Sequence, residues 1–114
     1  MKPGDVVLVR FPFADLATAK KRPALVLART TRSPRNRLAT LAMITSQIEA
    51  LRLDGDVTLT DWKPSGLLHP SLLRLAKVAT VDEDLVDRTI GKLSSRDKAA
   101  ARKAFGIVFS AWLS

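Results

Sequence analysis

Residues 20–47 read KKRPALVLARTTRSPRNRLATLAMITSQ. Two apolar runs, Ala24–Ala28 and Leu41–Ile44, flank a polar, basic, proline-containing connection. That is the pattern of two strands joined by a hairpin-like loop. An antiparallel pair closed by such a loop lays the start of the first strand beside the end of the second. Pairing Ala28 or Arg29 with Leu38 or Ala39 brings Arg22 opposite Thr45. The assignment depends on register, because a slip of one residue turns every side chain to the other face. In this register a guanidinium and a hydroxyl meet at one end of a rigid hairpin, and both bind phosphate well.

Working outward, 114 residues suffice for one domain with a real core but not for two, so residues 1–114 are expected to form a single domain. With 46% hydrophobic and 26% charged residues, the composition is that of a folded chain rather than a disordered one. The net charge is +8 and the isoelectric point is near 10.6. The excess is uneven: between Leu16 and Ile48 there are seven basic residues (Lys20, Lys21, Arg22, Arg29, Arg32, Arg35, Arg37) and no acid. Such a stretch is either a solubilising face or the footprint of a polyanion or an acidic protein. The absence of cysteine excludes disulfides and thiolate metal sites and suits a reducing compartment. Asp5 interrupts any signal-peptide apolar region near the start, and no apolar run approaches the roughly 20 residues of a spanning helix. A cytoplasmic location is expected.

Taken in order, Asp5–Phe13 alternates, with Val7, Val9, Phe11 and Phe13 on one face and Val6, Leu8 and Arg10 on the other. Pro12 points to an edge or a strand end. Ala14–Lys21, with Asp15 and Thr18, reads as a loop over the Arg22 end. After the hairpin, Ile48–Gly55 is a connection and Asp56–Thr60 a fourth strand with Val57 and Leu59 inward. Asp61–Ser71, DWKPSGLLHPS, holds Pro64, Gly66 and Pro70 and forms no single regular element. Leu72–Val81 is extended, Asp82–Asp84 a turn or one helical turn, and Arg88–Lys92 a last short strand. Ser94 then serves as an N-cap, with Asp97 at capping-box spacing. Phe105, Val108, Phe109 and Trp112 form an i, i+3, i+4, i+7 apolar stripe on a helix rich in alanine, weakened at Gly106. The expected fold is mainly β with α: a strongly bent antiparallel sheet or half-open barrel, with a C-terminal amphipathic helix packed against it.

Candidate chemistry is sparse. His69 is the only histidine, and in a leucine–proline loop it reads as structural or solvated. Without cysteine or a second histidine, no zinc site is expected. Asp82, Glu83, Asp84 and Asp87 have the chemistry for magnesium, but their adjacency in a turn fits a solvated run offsetting basic neighbours better. Isolated glycines make neither a P-loop nor a dinucleotide fingerprint, and nothing places a nucleophile elbow near His69. The aromatic stripe of the helix reads as core or a dimer face before it reads as a base-stacking platform. What is left is a site of arginine, lysine and hydroxyls with no cofactor. Arginine binds phosphate bidentately and stays protonated; it stabilises a pentacovalent phosphate or donates a proton, but is a poor base. Such a set suits RNA cleavage in which the 2′-hydroxyl attacks, since the substrate then brings its own nucleophile. The residues alone support a phosphate-binding barrel.

GDVVLVRFPF (residues 4–13), KKRPALVL (20–27), MITSQ (43–47), SGLLHPS (65–71) and TIGKLS (89–94) resemble, in that order, segments of the PemK/MazF toxins. The likeness runs from Gly4 to about Ser95, and its weight lies in five weak motifs at the right spacing. It implies an SH3-like barrel, a homodimer, metal-independent cleavage of single-stranded RNA, and neutralisation by an acidic antitoxin. By the same resemblance Arg22 is the acid/base residue and Thr45 stabilises the transition state. Lys20 and Lys21 then hold backbone phosphates, and Thr18, Ser46, Gln47 and Ser65 are further substrate contacts. The first loop departs from the family pattern: many members carry serine and glutamine there, where this chain has Ala17, Thr18 and Ala19.

The expected function is therefore a toxin endoribonuclease. Two alternatives stand beside it. One is a non-catalytic toxin on the same fold that binds a protein such as DNA gyrase through the Trp112 region. The other is a plain nucleic-acid-binding module. Lys20, Lys21, Arg32, Arg35 and Arg37 are expected to ring one site and to attract an acidic, disordered partner segment.

Overall fold

The computed structural model describes residues 1–10, 20–31, 35 and 37–114. Among them the strands are β1 (Asp5–Arg10), β2 (Lys21–Thr31), β3 (Arg37–Thr45), β4 (Asp56–Thr58), β5 (Leu72–Asp82) and β6 (Val86–Lys92). They are followed by α1 (Ser95–Val108) and the short α2 (Ser110–Leu113). The strands form one six-stranded sheet in the order β4-β5-β3-β2-β1-β6, every pair antiparallel. It does not close: β4 and β6 are its two edges. Of the expected shapes, the strongly bent sheet is the one observed.

The bend is enforced by a short connection. β5 and β6 lie four strand spacings apart in the sheet order, roughly 19 Å if the sheet were flat. Only the 3-10 turn Glu83–Leu85 joins them, and the path from Asp82 to Val86 spans about 14 Å at full stretch. The sheet must therefore curl until its β5 and β6 sides approach. Irregular register supplies the corner: Ala42 pairs with Val78 but Met43 pairs with Arg74, leaving Leu75, Ala76 and Lys77 as an extra segment on β5.

Alternation holds where the sequence suggested it. Val6 belongs to one core with Leu25, Ile44, Leu73 and Leu75, while Val7 and Val9 belong to a second with Val26, Leu41 and Val81. Phe11 and Phe13 lie outside the described residues. The expected simple alternation of Leu72–Val81 does not hold at its start, where Leu72, Leu73, Arg74 and Leu75 are all buried. Arg74 is tolerated there because its guanidinium meets Asp56 at 3.2 Å and also donates to the Leu51 carbonyl. Burial raises the pKa of Asp56, but hydrogen bonds from Arg74 and the Leu53 amide, with the charges of Arg74 and Arg52, outweigh it and hold the carboxyl below its usual range.

Two expectations for the helix are corrected. Ser94 is the N-cap, its hydroxyl accepting from the Asp97 amide at 3.1 Å. The Asp97 carboxylate, however, does not reach back to close a capping box. It is 1% exposed and accepts from the amides of Thr60 (2.9 Å) and Asp61 (2.8 Å), bolting the helix to the loop after β4. The inward row of α1 is Asp97, Ala101, Ala104 and Val108 rather than the aromatic stripe. Small alanines let the helix approach the sheet, which rotates Phe105 to 38% exposure, and α1 ends at Phe109 before Trp112 is reached. Trp112 is 89% exposed. Among the described residues no helix is long and apolar enough to cross a membrane.

Because the buried Asp97 carboxylate accepts from two amides, Asp97→Ala is expected to destabilise the protein by about 2–3 kcal/mol. Asp97→Asn, which keeps one acceptor, should cost clearly less. Urea denaturation midpoints with unchanged slope would show this; an Asp97→Ala midpoint equal to wild type would refute the role given to the carboxylate.

Candidate phosphate-binding site

The first strand of the hairpin is interior to the sheet. Arg22 pairs with Val9 of β1 on one side, and on the other side β2 runs along β3. Near the hairpin tip Arg29 pairs with Ala39, and continuing that register unbroken would set Arg22 opposite Ser46. A bulge at Leu27 takes up one residue, so that Ala24 pairs with Met43. Two residues further along each strand come Arg22 and Thr45. Both lie on the wall of a cavity of about 450 Å³. Thr45 is anchored in turn by pairing with Leu72 of β5. Its hydroxyl oxygen accepts from the Gln47 amide at 3.1 Å, which leaves the hydroxyl hydrogen free to donate into the cavity.

Around this pair the cavity gathers Lys20, Lys21, Ser46 and Gln47 from the hairpin ends, and Leu8, Arg88 and Ile90 from β1 and β6. The loop 66–71 supplies the remaining wall with Leu68, His69 and Ser71. That loop is pressed onto β6. Gly66 has φ +89, and a Cβ there would stand 2.1 Å from the Ile90 carbonyl oxygen, so only glycine fits. Among the described residues the wall carries four basic side chains, one histidine and no carboxylate. Lys21 is offset by Asp87 at 3.1 Å. Lys20, Arg22 and Arg88 have no partner among the described residues.

The sites expected from sequence thus divide. Arg22, Thr45, Lys20, Lys21, Ser46 and Gln47 converge on one cavity. Thr18 lies outside the described residues. Ser65 is not at the cavity surface: it is fully buried and its hydroxyl donates to the Asp61 carbonyl at 2.9 Å, because the loop turns there to pass under β6. The basic residues do not ring one site. Arg35 and Arg37 sit at the hairpin tip, and Arg37 is eight residues along β3 from Thr45, roughly 26 Å away; Arg32 lies outside the described residues. The acidic run behaves as an offset of basic charge: Glu83 pairs with Arg29 at 2.8 Å and Asp87 with Lys21. The Glu83 hydrogen bond, then its charge, raises the pKa of Arg29. Among the described residues no cluster of metal-ligating side chains occurs. From sequence Arg88 carried no motif of its own and was left out, and His69 read as structural or solvated; His69 is indeed exposed, and it lies on the cavity wall.

The sequence profile of the PemK-like, MazF-like toxins of type II toxin–antitoxin systems matches residues 2–109. This chain belongs to that family. It is a toxin of a type II toxin–antitoxin system. Solved structures show how widely the fold is shared. The Mycobacterium tuberculosis toxin MazF-mt6 is 24% identical, with a TM-score of 0.66 over 93% of this chain and 96% of its own. A mycobacterial endoribonuclease in complex with its cognate antitoxin is 13% identical, with a TM-score of 0.70 over 96% of this chain and 95% of its own. MazF from Deinococcus radiodurans is 21% identical, with a TM-score of 0.68 over 96% of each chain. At these identities the likeness is one of fold. No curated protein matches the chain.

Proposed function

We propose that this toxin is a metal-independent endoribonuclease acting on single-stranded RNA. The observation that carries the reading is the cavity itself: Arg22 and Thr45 on two paired strands, Lys20 and Arg88 beside them with no partner among the described residues, and no carboxylate on the described wall. A wall of this kind attracts phosphate and offers none of the oxygen anions that a hard cation takes. The Arg22 guanidinium grips the scissile phosphate with its bidentate fork and meets the charge that builds on the pentacovalent phosphorus. The Thr45 hydroxyl donates to a second phosphate oxygen, and Lys20 holds a neighbouring phosphate. The ribose 2′-hydroxyl is the nucleophile, so the site needs no bound water or metal to supply one.

A second reading keeps the toxin but not the chemistry. Trp112 and Leu113 are 89% and 69% exposed, an apolar end suited to a protein target. RNA cleavage separates the two. Purified protein should cut a long single-stranded RNA in excess chelator, leaving a 2′,3′-cyclic phosphate and a 5′-hydroxyl, and should spare a substrate with deoxyribose at the scissile position. Arg22→Ala should lose about 10²–10³ in rate, as removal of one preorganised donor does. Arg22→Lys should recover little, Thr45→Ala should do less damage, and Thr45→Ser should be tolerated. Inhibition by chelator, or 5′-phosphate products, would sink the metal-free mechanism.

The toxin is further proposed to work as a homodimer. Leu51, Leu68, Ile107, Trp112 and Leu113 are all at least 64% exposed, and a two-fold partner would cover apolar surface of this kind. Light scattering at tens of micromolar should give twice the chain mass; a monomer mass would refute it.

The mycobacterial relative is held by its cognate antitoxin, and this toxin is proposed to bind an acidic one over the cavity. The attracting charges on that end are Lys20, Arg22 and Arg88, without the hairpin-tip arginines. Association should slow as salt rises, since exposed charges are screened beyond about 8 Å at physiological ionic strength. Charge reversal at Lys20 should flatten that dependence more than reversal at Arg37. Equal effects at the two ends would contradict a cavity-centred partner.

A further inference from the structure

We propose that His69 is the general base of this site, taking the proton from the attacking 2′-hydroxyl; the proposal rests on the ribonuclease reading above. Attack by the 2′ oxygen forms an O2′–P bond, breaks the P–O5′ bond and releases the hydroxyl proton. Lysine and arginine are ordinarily protonated at neutral pH, so the cations of the wall have no lone pair to receive it. Hydroxyls and amides are not bases in this range. Among the described residues of the cavity wall only His69 carries a side chain of the kind that serves as a proton acceptor in catalysis.

Its placement fits the role. The imidazole is exposed on the cavity wall and has no hydrogen-bond or ion-pair partner among the described residues, so its ring nitrogens are free for substrate. The backbone beneath it is held. The Ser71 hydroxyl, in a residue 4% exposed, donates to the His69 carbonyl at 2.8 Å. Leu67, two residues earlier, is buried in the core, and Pro70 restricts the His69 backbone to extended conformations. Lining the same cavity are Lys20, just before β2, Lys21 and Arg22 of β2 and Arg88 of β6, all cations. With them stabilising the phosphorane, His69 takes the 2′ proton, solvent water protonates the departing 5′ oxygen, and the imidazolium later returns its proton to the hydroxide so formed.

The test is single-turnover cleavage of a long single-stranded RNA from pH 5 to 9 by wild type, His69→Ala and His69→Gln, with circular dichroism to establish folding. In wild type the logarithm of the rate should rise with unit slope and level off in the imidazole range. His69→Ala should lose about 10²–10⁴ in rate, as loss of a general base does, and should lose that acid limb. Added imidazole should restore part of the rate to His69→Ala, whose truncation leaves room for it, and less to His69→Gln. A His69→Ala protein that cuts within threefold of wild type with the same limb overturns the assignment. So does a slow variant that keeps the limb and ignores imidazole, which would mark an RNA contact only. If wild type cuts no RNA at any pH, the ribonuclease reading fails and this assignment with it.

Discussion

The constraint on which the rest depends is the three-residue link between β5 and β6. It joins strands that a flat sheet would hold four spacings apart, and so it forces the sheet to curl. Curling carries Arg88 and Ile90 of β6 round to the same hollow as the end of β3, and the loop 66–71 fills the remaining side. Without the curl, the Arg22–Thr45 pair would sit on an open face and its field would be dissipated into water. Within the hollow, cations act on a phosphate with part of the solvent excluded, where charge interactions are stronger. The open edges at β4 and β6 are the cost of a sheet that bends without closing.

The arginines divide into two populations by what they touch. Arg29, Arg74 and Arg96 are each held by a carboxylate, at 2.8, 3.2 and 2.6 Å, and each ties distant parts of the chain together. The Arg96 and Ser94 hydrogen bonds draw the Asp61 carboxyl below its usual range, and Asp61 begins the segment that ends in the cavity loop. Arg22 and Arg88 have no such partner among the described residues, although carboxylates such as Asp87 lie next to them in the chain or the sheet. A guanidinium on a concave wall that no described residue pairs is available to a ligand. Pairing separates structural cations from binding ones better than the sequence count of +8 does.

What the sequence made legible was what depends on local pattern. The two apolar runs and the turn between them specified the β2–β3 pair, and Ser94 was visible as a cap. Even the Arg22–Thr45 juxtaposition was within reach, although it holds only because the Leu27 bulge shifts the ladder by one residue, which no local signal announces. The rest was hidden because it is non-local. Asp97 carried the spacing of a capping box, yet its partners are amides 36 and 37 residues away. Ser65 and His69 come from one loop and were separable only once Gly66 was seen to press against Ile90, turning the serine inward and leaving the histidine outside. The basic stretch looked continuous along the chain, but a hairpin sends its two halves to opposite ends.

The chemistry of the cavity follows from what a curled sheet can gather cheaply. Strand ends and one tight loop supply short polar side chains and long cations. They do not supply a cage of carboxylates, since these would repel one another and the phosphate alike. A site so built can bind, polarise and orient a phosphodiester, but it has little with which to make a nucleophile from water. Ribose removes that requirement by placing a hydroxyl beside every phosphate, and the remaining deficit is a single proton acceptor. On the proposal made above, one imidazole on the wall meets it without adding a negative charge that would oppose the substrate. On the proposed reading the same economy gives a ground for sugar specificity: a cavity that depends on the substrate's own hydroxyl has nothing in DNA to activate.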